Sequence, residues 1–320
     1  MNQQTHTAFN QSLPLVSVII PVYNAAVFLV RALDSIMDQS YPADRIEVLL
    51  VDDGSSDKSL SIAKSYEGKL HDLKICSQPN RGVSAARNMG ILLSGGDLIA
   101  FLDADDRWLP DKISSQVAIF SADQTLGLVH CGCNFVDRHG AVLKNWSRQS
   151  RTDEGDILLE FVCDFFLITS GVMVPKSVLD DVGCFDESLK VGEDNDLFLR
   201  ILSAYQAGCT RQALLERTVR AESLSRQDYD LDARVDLQTL DRFLQSHPAF
   251  ARQNKSRINS HLSEYLFSYG YRLLDDGRVK QARYALRRSL SLGWSARAVR
   301  ALLRSYLPTR IANRARTNWA

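Results

Sequence analysis

An α/β fold built on a parallel sheet with helical crossovers is what this chain predicts. Apolar, β-branched runs begin near residues 16, 46, 73 and 97, intervals close to the roughly 30 residues of a strand-helix-strand unit. Segments of helical periodicity separate them. Each run also ends in a polar cluster, and parallel sheets bind ligands in the crevice beyond the carboxyl ends of their strands.

Val16 to Pro21 reads as a buried strand closed by proline. Leu29, Leu33, Ile36 and Met37 follow at helical spacing, with Arg31, Asp34 and Asp38 on the other side. Glu47 to Val51 is a second apolar strand, and Asp52-Asp53-Gly54-Ser55-Ser56-Asp57 is a turn rich in helix-capping residues. A short helix from Lys58 to Tyr66 leads to a strand at Leu73 to Cys76. Asn80-Arg81-Gly82 then turns the chain into a helix from Ser84 to Leu93, which Gly95-Gly96 breaks. Leu98 to Leu102 runs straight into Asp103-Ala104-Asp105-Asp106, so three acids within four residues close a fully apolar strand.

The second half is less regular. Gly127 to Phe135 and Ala141 to Leu143 flank His139-Gly140 and predict a hairpin. Thr169 to Val174 reads as a further strand that starts in small residues, and Gly192-Glu193-Asp194-Asn195-Asp196 opens a helix with Leu197, Ile201 and Leu202 on one face. Beyond about Ser225 the strand signals stop. Leu266 to Trp294 holds two amphipathic helices joined at Asp275-Asp276-Gly277, with Gly270, Leu273, Ala282 and Leu286 where a tetratricopeptide-type hairpin packs; Pro308 is expected to end the last helix. The organisation expected is a flexible N-terminal tail (1–14), an α/β domain (15–225) and a basic helical C-terminal region (226–320).

With 320 residues and 45% hydrophobic content, the chain is long enough for one large domain and an appendage. No stretch approaches the roughly 18 uninterrupted apolar residues of a membrane span, and Met1 to Pro14 has no signal-peptide core, so a cytoplasmic location is expected. Six cysteines are scattered, and the lone Cys131-Gly132-Cys133 is poor support for zinc. They read as reduced structural thiols.

A net charge of zero conceals an asymmetry: from Ala251 to Ala320, 15 Lys and Arg residues stand against Glu264, Asp275 and Asp276 alone. An acid-free stretch after Asp276 suggests contact with something anionic, such as lipid head groups, a lipid-diphosphate substrate or the acidic front domain. A peripheral position on the inner face of the cell membrane is expected on that ground, and no nucleic-acid partner is.

Carboxylates side by side at Asp103, Asp105 and Asp106 repel one another unless a cation or a polyphosphate-bound metal joins them. The plain structural account is a solvated turn, with Asp106 capping a helix before Trp108-Leu109-Pro110. Asp52-Asp53-Gly54-Ser55 is either a capped turn or a nucleoside site, where a carboxylate accepts the imide N–H of uracil or holds ribose hydroxyls. Pro21 to Asn24 could wall in the same base. Arg87-Asn88 is a solvated helix position or a charged fork facing a diphosphate. Glu193 and Asp194 suit a helix dipole, yet a free carboxylate there could equally be a general base. His130 and His139 show no metal-ligand spacing and read as structural.

Taken together, these residues resemble the family 2 glycosyltransferases, nucleotide-sugar enzymes of the GT-A fold. Val16 to Asn24, then Val51 to Asp57, then Asn80-Arg81-Gly82 with Ala86-Arg87-Asn88 are similar to that family's opening blocks in order and spacing. Asp103-Ala104-Asp105 is similar to its D-x-D metal motif, and Gly192-Glu193-Asp194 to its E-D motif. The resemblance covers roughly Leu15 to Ala204.

It implies a Rossmann-like mixed sheet flanked by helices, with the helical region appended. Pro21, Tyr23, Asn24, Asp52 and Asp53 would form the nucleotide site, with Arg87 nearer the phosphates. Asp105 would be the direct ligand of Mn²⁺ or Mg²⁺, with Asp103 at the ribose or a metal-bound water. Asp194 would be the catalytic base, Glu193 and Asp196 being its rivals.

The activity implied is inverting transfer of a hexosyl or N-acetylhexosaminyl group. The donor is a nucleotide diphosphate sugar, a UDP-sugar foremost, and the acceptor a hydroxyl of a saccharide or lipid-linked saccharide, in cell-surface polysaccharide synthesis. Two alternatives stand beside it. A nucleotidyltransferase wants a glycine-rich basic loop after the first strand, which Val22 to Val27 lacks. A non-catalytic nucleotide- or carbohydrate-binding protein would have little use for both Asp105 and Asp194.

Overall fold

A computed structural model describes residues 13–137, 140–145, 153–219 and 229–306. Most of the expected tail, His139, the boundary at 225/226 and Pro308 lie outside the described residues. The chain divides into two compact units, Met1–Asp228 and Tyr229–Ala320.

Strands β1 (Val16–Val22), β2 (Ile46–Asp52), β3 (Asp72–Ser77) and β4 (Leu98–Phe101) begin the first unit. β2 and β4 flank β1 in parallel and β3 lies outside β2. Every position of β1, β2 and β4 is buried, as strands covered on both faces require. Ser17 and Glu47 are polar exceptions that satisfy each other, with the Gly95 N–H at 2.8 Å and Lys74 completing the Glu47 carboxylate.

Helices α1 (Leu29–Met37), α2 (Ser59–Lys64) and α3 (Val83–Leu93) connect these strands. Val16, Val18, Ile20 and Val22 share one core with Leu29, Leu33 and Ile36 of α1. On the other face Ile19 meets α3 at Gly90, where an added Cβ would lie 2.5 Å from the Ile19 Cγ2. The helix sits this low on the sheet because position 90 has no side chain.

The chain continues through β5 (Arg107–Trp108), α4 (Lys112–Ala122), β6 (Leu126–Val136) and β7 (Val142–Asn145). It then forms α5 (Leu158–Cys163), β8 (Met173–Pro175), α6 (Lys176–Val182), α7 (Glu193–Ala204) and β9 (Gln206–Thr218). The nine-stranded sheet runs β3-β2-β1-β4-β8-β6-β9-β5, with β7 paired to β6. β8 is antiparallel to β4, so the sheet changes polarity beside β4 and is mixed. The hairpin of β6 and β7 forms as expected.

Two expectations need correction. Thr169 to Val174 is not one strand: Thr169–Gly171 is a 3₁₀ turn, and only Met173–Pro175 joins the sheet. The Ser170 carbonyl accepts from the Trp108 indole N–H at 2.7 Å instead of entering a ladder. Asp106 is no helix cap either, since α4 starts only at Lys112 and Asp106 is buried beneath the Ser170 hydroxyl.

The second unit comprises α8 (Tyr229–Ser246), α9 (Pro248–Gln253), α10 (Lys255–Asp275), α11 (Val279–Leu292) and α12 (Ala296–Arg304). α10 and α11 form an antiparallel hairpin in which the Ser263 hydroxyl donates to the Ser289 carbonyl at 3.0 Å and Gly270 admits Leu286. All six cysteines are unbridged. Among the described residues no helix is long and apolar enough to cross a membrane.

Candidate active site

Three of the four polar clusters form one joined edge at the carboxyl ends of β1, β2 and β3. Asn24, at φ +49°, donates its N–H to the Ser55 Oγ at 3.0 Å, and its Oδ1 accepts from the Ser56 N–H at 2.8 Å. Asp53 is buried and accepts from Gln78 Nε2 at 2.7 Å and from the N–H groups of Arg81 and Gly82, each at 2.9 Å. Its carboxylate therefore shapes the Asn80-Arg81-Gly82 turn. Gly54, at φ +78°, lies so close that an added Cβ would stand 2.9 Å from the Asn80 nitrogen. Asp52 is also buried and accepts from the Ser55 N–H at 3.3 Å. Tyr23 is 55% exposed beside them, whereas Pro21 is buried inside β1.

The fourth cluster ends β4. Ser170, fully buried, accepts from the Asp103 N–H at 3.0 Å and donates to Asp106 Oδ2 at 2.7 Å, while the Thr218 N–H reaches Asp106 Oδ1 at 3.2 Å. Burial, reinforced by the negative charges of Asp105 and Asp103, pushes the Asp106 carboxyl up to about 8. Thr218 also donates to the Asp105 carbonyl, so the far end of β9 braces the whole acidic turn.

Arg87 joins this turn to the start of α7. Its guanidinium is only 4% exposed, donating to Asp103 Oδ1 and Glu193 Oε1 at 2.8 Å each. Burial opposes the charge on Arg87, but the two carboxylates outweigh it and raise its affinity for the proton. Burial and then the neighbouring Asp194 push the Glu193 carboxyl up, which Arg87 only partly offsets. Asp194 is half-buried and accepts from the Thr169 hydroxyl at 3.2 Å and from the Asn195 N–H at 2.8 Å. Asn88 anchors the preceding loop through the Phe185 carbonyl and N–H at 2.9 and 3.0 Å. Three carboxylates, those of Asp103, Glu193 and Asp194, thus act on a single guanidinium.

Among the described residues no three His, Cys, Asp or Glu side chains converge as a ready-made metal cluster. Asp103 and Asp105 are part-exposed, and Arg87 holds one Asp103 oxygen. A hard divalent cation fits this oxygen set if a diphosphate and water supply its remaining ligands, the usual arrangement for Mg²⁺ beside a nucleotide.

Ser170, Thr169, Gln78 and Thr218 were not singled out as individual site residues by sequence. Their only signal was a small-residue start at Thr169-Ser170-Gly171; Gln78 and Thr218 carried none.

Residues 17–182 match the model of glycosyl transferase family 2. The chain belongs to this family. The family match ends before Glu193 and Asp194. An uncharacterized glycosyltransferase of Rickettsia typhi is 35% identical over 213 residues, 64% of this chain and 63% of that protein. Chondroitin synthase of Escherichia coli is 28% identical over 202 residues, 62% of this chain and 28% of the synthase. The chain spans under two thirds of the length of these relatives. The fold is also that of S. aureus TarS residues 1–349 in complex with UDP, with a TM-score of 0.58, 20% identity, and coverage of 91% of this chain and 90% of that one. TarS 1–349 is likewise known in complex with UDP-GlcNAc.

Proposed function

We propose that this family 2 chain catalyses inverting transfer of a sugar from a nucleotide diphosphate sugar, a UDP-sugar foremost, to a hydroxyl of a saccharide or lipid-linked saccharide. The observation that carries the reading is the Arg87 bridge, which ties the acidic end of β4 to the acidic start of α7 through two 2.8 Å bonds. A donor phosphate and an acceptor hydroxyl must meet, and this bridge joins the elements suited to each.

In this reading the ring of Tyr23 packs on the base, while Pro21, Asn24, Asp52 and Asp53 set the edge that receives it. Asp103 faces the ribose. Asp105, supported by Asp103, would hold Mn²⁺ or Mg²⁺, and the ion when bound would supply Lewis-acid stabilisation of the diphosphate leaving group. Asp194, oriented by Thr169, accepts the acceptor's proton as that oxygen attacks the anomeric carbon opposite the leaving group. Glu193 is engaged by Arg87 and leaves the base role to its neighbour. The basic C-terminal region brings the chain to an anionic membrane surface on the cytoplasmic side, where cell-envelope acceptors are lipid-linked. Shared fold with TarS, which binds UDP and UDP-GlcNAc, supports the donor class.

The test is turnover of a UDP-sugar panel with Mn²⁺. Asp194→Asn is expected to leave UDP affinity intact and to reduce transfer by about 10²–10⁴-fold, the range of a positioned general base. Full activity in that variant would place the base elsewhere.

A further inference from the structure

The loop between α6 and α7, together with the start of α7, is fastened at three places to α3 and the turn before it. At the first, Arg87 holds Glu193. At the second, Asn88 Nδ2 donates to the Phe185 carbonyl at 2.9 Å, and Asn88 Oδ1 accepts from the Phe185 N–H at 3.0 Å. Phe185 is buried, its ring centroid 5.3 Å from that of Phe101 and 5.2 Å from the Arg87 guanidinium carbon. The third fastening is exposed: Glu187 Oε2 accepts from Arg81 Nη2 at 2.8 Å, while Oε1 accepts from Asn88 Nδ2 at 3.1 Å.

Loop and helix form one body. Arg200 of α7 donates to the Val182, Gly183 and Cys184 carbonyls at 2.7, 2.9 and 2.8 Å, which ties the start of the loop to the helix its end begins. Gly183 and Gly192 bracket the loop at φ +84° and +76°, a backbone conformation that glycine adopts at no steric cost. Two fastenings alone would leave this body free to turn about the line joining them. The Arg81–Glu187 pair removes that freedom, and its own footing is firm, because the Arg81 N–H donates to the buried Asp53 carboxylate at 2.9 Å.

We propose that Glu187 is a positioning residue for sugar transfer: its pairing with Arg81, acting through the loop, sets where the Asp194 carboxylate stands relative to the acidic end of β4. The proposal rests on the reading of Asp194 as the base. Glu187 itself touches neither donor nor acceptor. With side chains 58% and 41% exposed, Arg81 and Glu187 add little to global stability, so the use of the pair lies in alignment. The position calls for a carboxylate because both oxygens receive a donor. An amide there would turn its own N–H₂ toward the Asn88 amide or the Arg81 guanidinium.

The test is a double-mutant cycle on the full chain, with kcat, donor KM and UDP affinity measured for the UDP-sugar that the parent turns over fastest. Glu187→Gln and Arg81→Met are each expected to lower kcat at least about threefold while donor KM and UDP affinity stay within about twofold. The double variant is expected to be no slower than the slower single one, because both changes open the same fastening. Arg81→Lys keeps a cation and is expected to stay within about twofold of the parent. Melting temperatures are expected to be unchanged throughout, which separates alignment from a loss of folded protein. Amide exchange across residues 184–191, read by mass spectrometry, needs no donor and is expected to quicken at least about twofold in both single variants. Unchanged kcat in both single variants overturns the proposal, as do effects that multiply in the double one. A parent inactive on every UDP-sugar counts against the transfer reading instead; quickened exchange then upholds the fastening, and unchanged exchange overturns it.

Discussion

Replacing Arg87 with methionine removes the one cation between Asp103 and Glu193 while keeping most of the side-chain volume. The two partners respond differently because the Asp103 side chain is 34% exposed and that of Glu193 only 10%. Asp103 regains water and contributes about 1 kcal/mol or less to the loss. Glu193 cannot, and a buried charge deprived of its partner destabilises by about 3–5 kcal/mol. Protonation relieves this. The Glu193 carboxyl, already raised above its ordinary 4.5 by burial and Asp194, rises further in the variant. A carboxyl raised on folding is harmless below its unfolded value and destabilises as pH rises through the folded one. Urea denaturation followed by tryptophan fluorescence should therefore show a wider gap between Arg87→Met and the parent at pH 8 than at pH 5. Adding Glu193→Gln should recover about 2 kcal/mol or more at pH 8. A loss below about 1 kcal/mol, or no recovery on adding Glu193→Gln, would refute the bridge as the joint between the two acidic elements.

Asp105→Ala is expected to abolish Mn²⁺-dependent UDP binding in calorimetry, and unchanged UDP affinity would remove Asp105 as a ligand. Ser170→Ala takes a donor from buried Asp106 and an acceptor from the Asp103 N–H, so it should destabilise by about 1–3 kcal/mol, measured by urea denaturation. Lys112 is fully buried with its Nζ 3.9 Å above the Trp108 ring, and burial lowers its pKa to about 7. Unfolded Lys112 keeps its proton up to its ordinary 10.5, so stability rises with pH between 7 and 10.5, by an amount on the order of 5 kcal/mol less what the ring returns to the cation. Lys112→Met should flatten that slope and raise the melting temperature at pH 6; an unchanged slope would mean the ammonium reaches water.

How much was legible follows from the kind of signal each element carried. β1, β2 and β4 were readable because strands buried on both faces are continuous apolar runs, each followed by capping residues. β9 was not. Its run is broken at Thr210-Arg211-Gln212, where Arg211 takes φ +55° and the pairing with β6 slips, so no clean alternation survives. In the site the residue types were visible and the pairings were not. Arg87 meets Asp103 across 16 positions and Glu193 across 106, and spacing along the chain says nothing of such contacts. Asp106 looked like a cap because Trp108-Leu109-Pro110 resembles a helix start. It is buried because Arg107 and Trp108 pair with β9 instead, which brings the Thr218 N–H to its carboxylate.

Position 90 gives the arrangement its tolerance. Gly90 lies one turn along α3 from Arg87, and a Cβ there would come 2.5 Å from Ile19, against the roughly 3.5–4.0 Å of ordinary carbon contact. Relieving that overlap means lifting the helix by about 1 Å, enough to stretch a 2.8 Å bond beyond hydrogen-bonding range. The distance between a guanidinium and its carboxylates is thus gauged by an apolar contact that involves no charged atom, and alanine at position 90 would act on the site as surely as a change at Arg87.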